Sequence, residues 1–293
     1  MSSSLNDIKR RLVSVKQTKQ ITGAMYLLSA ARLKQEMQGM DYIIDHIDAM
    51  RRSMTDILAQ NTGAELHDTY FEIFPKGKRL YMSVLGDKGL CGSYNNDVAM
   101  LTLRELKENP GAQLFCFGQI GANFLSGKGI KPDKVFPGSS MHPEYALAKE
   151  ISDDLIDNYV TDRINEVYVI YTPYSRMGRM KPVCVRLLPF LYEDFTDLDE
   201  AVPNDMIYEP GAKEVFRAIA PFYCAGVLYD MLMQSSASEN SSRMEAMSSA
   251  SDSADDMINS LQTEMNTVRQ LTITNEITEI SAAAEARKKS ENL

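Results

Sequence analysis

No proline occurs in the first 74 residues or the last 72; all eleven lie between Pro75 and Pro221. Proline breaks helices by removing a backbone donor and clashing with the preceding turn, so each end of the chain is free to form one long helix. Cysteine is scarce as well. Cys91, Cys116, Cys184 and Cys224 form no C-x-x-C pair and sit among apolar or glycine neighbours, which is the pattern of buried free thiols in a reducing compartment. The three histidines, His46, His67 and His142, are far apart and have no metal-ligand spacing, so no metal and no cofactor are expected. No histidine neighbours a candidate nucleophile, and no carboxylate pair has catalytic spacing. The chain lacks a continuous apolar run of about 18 residues, so no transmembrane helix is expected. Its opening, MSSSLNDIKRR, has no apolar signal-peptide core. A cytoplasmic protein is expected, with membrane contact only through partners.

Both proline-free ends carry a coiled-coil pattern. Leu5, Ile8, Leu12, Val15, Leu33, Met40, Ile43, Ile47, Met50, Met54 and Ile57 follow alternating spacings of three and four. Met244, Met247, Ala254, Ile258, Leu261, Met265 and Val268 do the same near the other end. In the first helix the heptad from Val15 meets Lys19, Thr22, Tyr26 and Ser29, while Ile21, Met25 and Leu28 form a displaced apolar stripe around Gly23. That predicts a seam that drifts, and a stretch that faces something other than the chain's own C-terminal helix.

The net charge is −9, which argues against nucleic acid as a partner. The charge is uneven. Residues 1–40 hold seven basic and two acidic side chains, and residues 222–293 hold five basic and eleven acidic ones. Paired helices from the two ends would attract, although each surface pair is worth only about 0–1 kcal/mol. Lys9, Arg10 and Lys16 form a basic face suited to an acidic protein surface.

Between the helices the pattern alternates. Strands are predicted at Leu80–Leu85, Gln113–Phe117, Val135–Phe136, Val167–Thr172 and Val183–Pro189, the last at an edge because prolines flank it. Helices are predicted at Asn96–Lys107, Gln119–Leu125 and Glu144–Tyr159. The expected fold is α/β: a long antiparallel coiled coil of the N- and C-terminal helices plus a small, mostly parallel, Rossmann-like domain. The expected boundaries are 1–60, 75–192 and 212–287, with Pro221 tolerated inside the last helix and a disordered tail over Lys288–Leu293. An acidic loop is expected over 193–211.

Gly86-Asp87-Lys88-Gly89-Leu90-Cys91-Gly92 follows a strand but fails as a phosphate loop, because its lysine comes early and no lysine precedes Ser93. A tight strand-to-helix turn is expected instead. Ser236 and Glu239 have capping-box spacing but lie inside the predicted last helix, where a solvated face is expected.

Several of these segments, taken in order, resemble the gamma subunit of F-type ATP synthase. Residues 7–33 are similar to its N-terminal signature, I-x-x-R-I-x-S-V-x-N-T-x-K-I-T-x-A-M. Gly86–Asn95 is similar to its D-K-G-L-C-G-x-x-N turn, and Tyr208-Glu209-Pro210 to another short element. Ser238-Glu239, Arg243-Met244, Ala246-Met247 and Ala250-Ser251 follow S-E-x-x-x-R-M-x-A-M-x-x-A-[TS]. Asn266–Gln270, Ile273-Thr274 and Glu276–Ile280 follow the family's N-x-x-R-Q-x-x-I-T-x-E-[IL]-x-E-I ending. The departures are Gly23, Leu271 and the run Ser281–Ala286.

The resemblance implies a non-catalytic rotor shaft of a bacterial-type enzyme. Such a shaft passes through a hexamer of alpha and beta subunits and stands on the epsilon subunit and the membrane c ring. It implies rotor–stator contacts at Met25, Arg269, Gln270 and Thr274, and a c-ring contact at Tyr208 and Glu209. No cysteine pair lies where the plant chloroplast form carries its regulatory insert, so thiol control is not expected. From the residues alone two alternatives stand beside it: a coiled-coil scaffold with an α/β domain and no rotary role, and a small-molecule enzyme carrying a rod.

Overall fold

The computed structural model describes residues 5–60, 69–71, 77–138, 143–161, 164–176, 180–195 and 207–291. Helix α1 spans Leu5–Gln60 and helix α5 spans Ala212–Glu291, so both proline-free ends are single helices and Pro221 is accommodated inside α5. Helix continues to Glu291, where a disordered tail was expected, because nothing before that point breaks it. The expected loop over Asn61–His67 and most of the acidic loop lie outside the described residues.

The chain divides into two compact units, residues 1–28 with 244–293, and residues 29–243. In the first, Ile8 on α1 and Met247, Ala254 and Leu261 on α5 are buried. Leu5, Leu12, Val15, Ile258, Met265 and Val268 are half-buried beside them. Lys19 reaches Asp255 at 2.6 Å, a half-exposed pair across the two helices. The spacing runs on through half-buried Lys19 and buried Thr22, then shifts by one position: Met25 of the displaced stripe is half-buried and Tyr26 is exposed, before the seam resumes at buried Ser29. The other two stripe residues, Ile21 and Leu28, are more than half exposed. Beyond Val268, every described residue from Arg269 to Ala284 is exposed.

The second unit is built on five strands: β1 (Arg79–Val84), β2 (Gln113–Phe117), β3 (Lys134–Phe136), β4 (Glu166–Tyr171) and β5 (Val183–Leu188). Their order is β3-β2-β1-β4-β5. All neighbours are parallel except β4 and β5, which places β5 antiparallel at the edge. Strand residues alternate between two cores, as a period of two requires. Leu80, Met82 and Val84 face helix α4 (Tyr145–Thr161), the end of α1 and the first half of α5. Tyr81 and Leu85 face helices α2 (Tyr94–Glu108) and α3 (Gln119–Gly127).

Helix α3 packs very close to the end of β1. A Cβ on Gly121 would lie 2.1 Å from Leu85 Cβ, so only glycine fits there. Helix α5 contains a window apolar enough to cross a membrane by length and composition, with mean hydropathy 1.3. Its apolar side chains are already placed: Phe216, Ala220, Cys224, Leu228, Met231 and Leu232 fill the larger core. Cys91, Cys116, Cys184 and Cys224 are free thiols, the first two and the last buried. Burial pushes Cys116 and Cys184 each up to about 12, so they are inert at neutral pH.

Candidate functional site

In a doubly wound sheet the ligand crevice opens where neighbouring strands send their connections to opposite faces, at the carboxyl ends of the strands. Here that place is between β1 and β4, and α5 fills it. Ser235 Oγ accepts a bond from Thr172 N at 3.3 Å, and Ser238 Oγ donates to Thr172 O at 2.9 Å. The Glu239 carboxyl lies against Gly86, so close that a Cβ there would be 2.9 Å from Glu239 Cδ. The amino end of α2 is likewise satisfied within the chain: Asp97 stands in its first turn and accepts a bond from Ser93 Oγ at 2.8 Å. A nucleotide has no room at the usual position.

The Gly86–Gly92 turn is held on both sides. Gly86 N donates to Asn95 Oδ1 at 2.8 Å, and Gly121 N donates to Gly86 O at 3.1 Å. Leu90 adopts φ 63°, the left-handed region that a bulky side chain rarely enters, and is 63% exposed. Arg243 of α5 holds the two carbonyls that precede Leu90. Arg243 Nε donates to Gly89 O at 3.1 Å and Nη2 to Lys88 O at 3.4 Å. The same guanidinium pairs with Glu239 and donates to Asn240 Oδ1 at 2.9 Å. Burial raises the Glu239 carboxyl and Arg243 opposes that rise. The two motif segments around Gly86 and Arg243, more than a hundred and fifty positions apart, are therefore one structure.

Next to this clamp, Glu36 of α1 is completely buried and accepts bonds from Ser236 and from Asn240 Nδ2 at 2.9 Å. Ser236 and Glu239 thus do not lie on a solvated face, as their mid-helix position predicted; they close a buried polar contact. Glu36 and Asn240 were not found by sequence reasoning. Their only signal was a polar residue falling on the seam, seven residues after Ser29.

The residues expected at partner contacts fall in separate places. Arg269, Gln270 and Thr274 lie on the exposed last part of α5, where the Thr274 hydroxyl donates to Gln270 O at 2.9 Å. Met25 is half-buried on α1, and Lys9, Arg10 and Lys16 are exposed. Glu209 is exposed, but Tyr208 turns inward. Its ring packs against the larger core, and its hydroxyl is enclosed without a hydrogen-bond partner among the described residues. Burial, and then Asp56, raise the Tyr208 hydroxyl above its usual range. No group of side chains able to hold a metal ion occurs among the described residues.

A family model described as ATP synthase matches residues 4–286. The ATP synthase gamma chain of Caldanaerobacter subterraneus subsp. tengcongensis is 37% identical over 95% of this chain and 98% of its own length. That of Ruminiclostridium cellulolyticum is 32% identical over 98% and 99%. Among solved structures, a chain of the Euglena gracilis mitochondrial ATP synthase (OSCP/F1/c-ring) aligns with TM-score 0.66 at 13% identity, over 99% of this chain and 96% of that one. One from the central stalk and c ring of the Tetrahymena thermophila enzyme aligns with TM-score 0.58 at 22% identity, over 79% and 99%. The full-length likeness to gamma chains carries the assignment and the two structures agree in fold: the chain belongs to the ATP synthase gamma-chain family.

Proposed function

We infer that this chain is the central rotor shaft of an F-type ATP synthase. It couples ion-driven rotation of a membrane ring to conformational change at catalytic sites on surrounding subunits, and carries no catalytic residue itself. One observation supports this most. From Arg269 to Ala284 helix α5 has no covering partner among the described residues, yet Leu271, Ile273, Ile277 and Ile280 stand exposed along it. A polar helix could remain bare; one that is apolar at several positions is covered by something else. A ring of stator subunits around the helix is such a cover. Because one rotor meets three sites in turn, each face of the helix can favour a different state of its neighbour, and differential contact is what shifts a conformational equilibrium.

In this reading Arg269, Gln270 and Thr274, with Met25 and the apolar stripe beside it, face the alpha and beta subunits. Lys9, Arg10 and Lys16 meet acidic surface on the same subunits. Epsilon and the c ring bind the α/β unit, with Glu209 as the outward contact, at the cytoplasmic face of a bacterial membrane. The test is coexpression with the alpha, beta and epsilon subunits of the same source. The chain should elute in a nucleotide-hydrolysing complex of several hundred kilodaltons. A stable free monomer beside an assembled alpha–beta hexamer would count against the reading.

A further inference from the structure

A continuous set of hydrogen bonds links α1 to the turn after β1, and it passes through α5. Glu36, fully enclosed, accepts from Ser236 and accepts twice from Asn240 Nδ2, at 2.9 and 3.2 Å. Asn240 Oδ1 accepts from Arg243 Nη1 at 2.9 Å, and Arg243 in turn holds Gly89 O at 3.1 Å. This set contains two carboxylates and one guanidinium. The guanidinium lies on Glu239. Among the described residues Glu36 has no cation in hydrogen-bond contact; Arg32, one turn earlier on its own helix, acts on it only at a distance. From α5 it is faced by Glu239, of like sign, and beyond it by Arg243. Asp87 and Lys88 of the turn act on Glu239. A buried carboxylate without a cation of its own is expensive and takes up a proton instead.

We propose that the buried Glu36 carboxyl is a proton switch whose charge state sets how tightly α1, α5 and the Gly86–Gly92 turn are held together. Burial lifts this carboxyl to about 7; the bonds from Ser236 and Asn240 lower it, Glu239 raises it further and Arg32 opposes. Neutral Glu36 can donate to Ser236 Oγ and still accept one bond from Asn240. Ionised Glu36 puts a second negative charge beside Glu239 against a single guanidinium, and only water or a wider gap between α1 and α5 relieves it. The folded carboxyl therefore has a higher midpoint than the unfolded one. Its stabilising contribution is fully present below the ordinary glutamate range and is lost as pH rises through about 7. The loosened state is the alkaline one. The device does not depend on the rotor reading.

The experiment is amide hydrogen exchange on the full-length chain between about pH 5 and 8.5, corrected for intrinsic exchange and read over residues 86–92 and 232–243. Protection in the native chain should fall by up to about tenfold per pH unit between the ordinary glutamate range and the midpoint, and level off above it. E36Q, which fixes the neutral form, should keep its protection flat across the range. A native chain with no fall, or an E36Q chain with the same fall, overturns the proposal. Should E36Q not fold, carbon-13 NMR of the native chain labelled at glutamate carboxyls decides. A resonance assigned to Glu36 that titrates near neutral pH supports the device, and a Glu36 resonance that titrates below pH 6 overturns it.

Discussion

Arg243 of α5 donates to the carbonyl oxygen of Gly89 at 3.1 Å across 154 positions of sequence. Through this contact the C-terminal helix grips the tip of the central strand's turn. Arg243 is 5% exposed, and each of its bonds has a defined acceptor. Arg243→Ala would take the guanidinium from buried Glu239 and remove a donor from Gly89 O, Lys88 O and Asn240 Oδ1. Removing one partner of a buried pair costs about 3–5 kcal/mol. Arg243→Lys keeps the charge but lacks the planar fork that serves several acceptors at once, so it should recover only part of that loss. Denaturant unfolding of the three chains side by side measures the order.

Gly121 makes a second, purely steric prediction. The Cβ of an alanine there would meet Leu85 Cβ at 2.1 Å, with Leu85 Cγ at 3.0 Å behind it. Neither is the loose end of a flexible side chain, so α3 must move off the sheet. Gly121→Ala should destabilise the α/β unit by about 1–3 kcal/mol or more, against a helix-propensity gain of about 1 kcal/mol. Gly127, near the end of the same helix with open space around it, is the control: Gly127→Ala should be neutral or mildly stabilising. Thermal unfolding of both variants separates crowding from propensity.

Much of this fold was legible because its signals are local. The absence of proline from both ends, with apolar residues at heptad spacing, located α1 and α5 to within a few residues. The run Val167–Thr172 and the prolines around Val183–Leu188 located β4 and the edge strand. The clamp was half legible: Gly86–Asn95 and Arg243 stood out as motifs, but nothing local says that they touch. Glu36 was barely legible: its one signal was its place on the seam, seven residues after Ser29. A glutamate inside a helix is ordinary, and only its partner on a helix two hundred positions away makes it a buried contact. The inward packing of the Tyr208 ring was not legible for the same reason. A tyrosine beside a glutamate and a proline looks like a surface turn until the core that receives its ring is in place.

Arg269 and Gln270 test the rotor reading at its most exposed part. Both side chains are exposed, so replacing them should change the unfolding of the isolated chain by no more than about 0.5 kcal/mol each. In the assembled complex they offer several donors to carboxylates and carbonyls on a neighbour. Coupled ATP synthesis by the Arg269→Ala, Gln270→Ala complex should fall severalfold, with the amount of assembled complex unchanged. Unaltered synthesis would remove both residues from the contact and move attention to Leu271, Ile273 and Ile277.

Tyr208 and Glu209 are adjacent, yet the structure assigns them opposite environments, and their substitutions should part accordingly. Tyr208 packs on the larger core with its hydroxyl enclosed. Tyr208→Ala should therefore destabilise the isolated chain by a few kcal/mol, as other large-to-small core changes do. Tyr208→Phe should be neutral or slightly stabilising, because it removes a buried hydroxyl that has no partner among the described residues. Glu209 is exposed, and Glu209→Ala should leave stability within about 0.5 kcal/mol. Its effect belongs to the assembly instead. If Glu209 meets a basic loop of the membrane ring, Glu209→Ala should loosen the catalytic head from membranes, the more so at high salt, while ATP hydrolysis by the detached head stays normal. Salt matters because an exposed pair is screened within about 10 Å at ordinary ionic strength. Membranes washed at rising salt and assayed for retained ATPase read this directly. Retention equal to that of the native complex at every salt concentration would leave Glu209 as the solvent side of a turn.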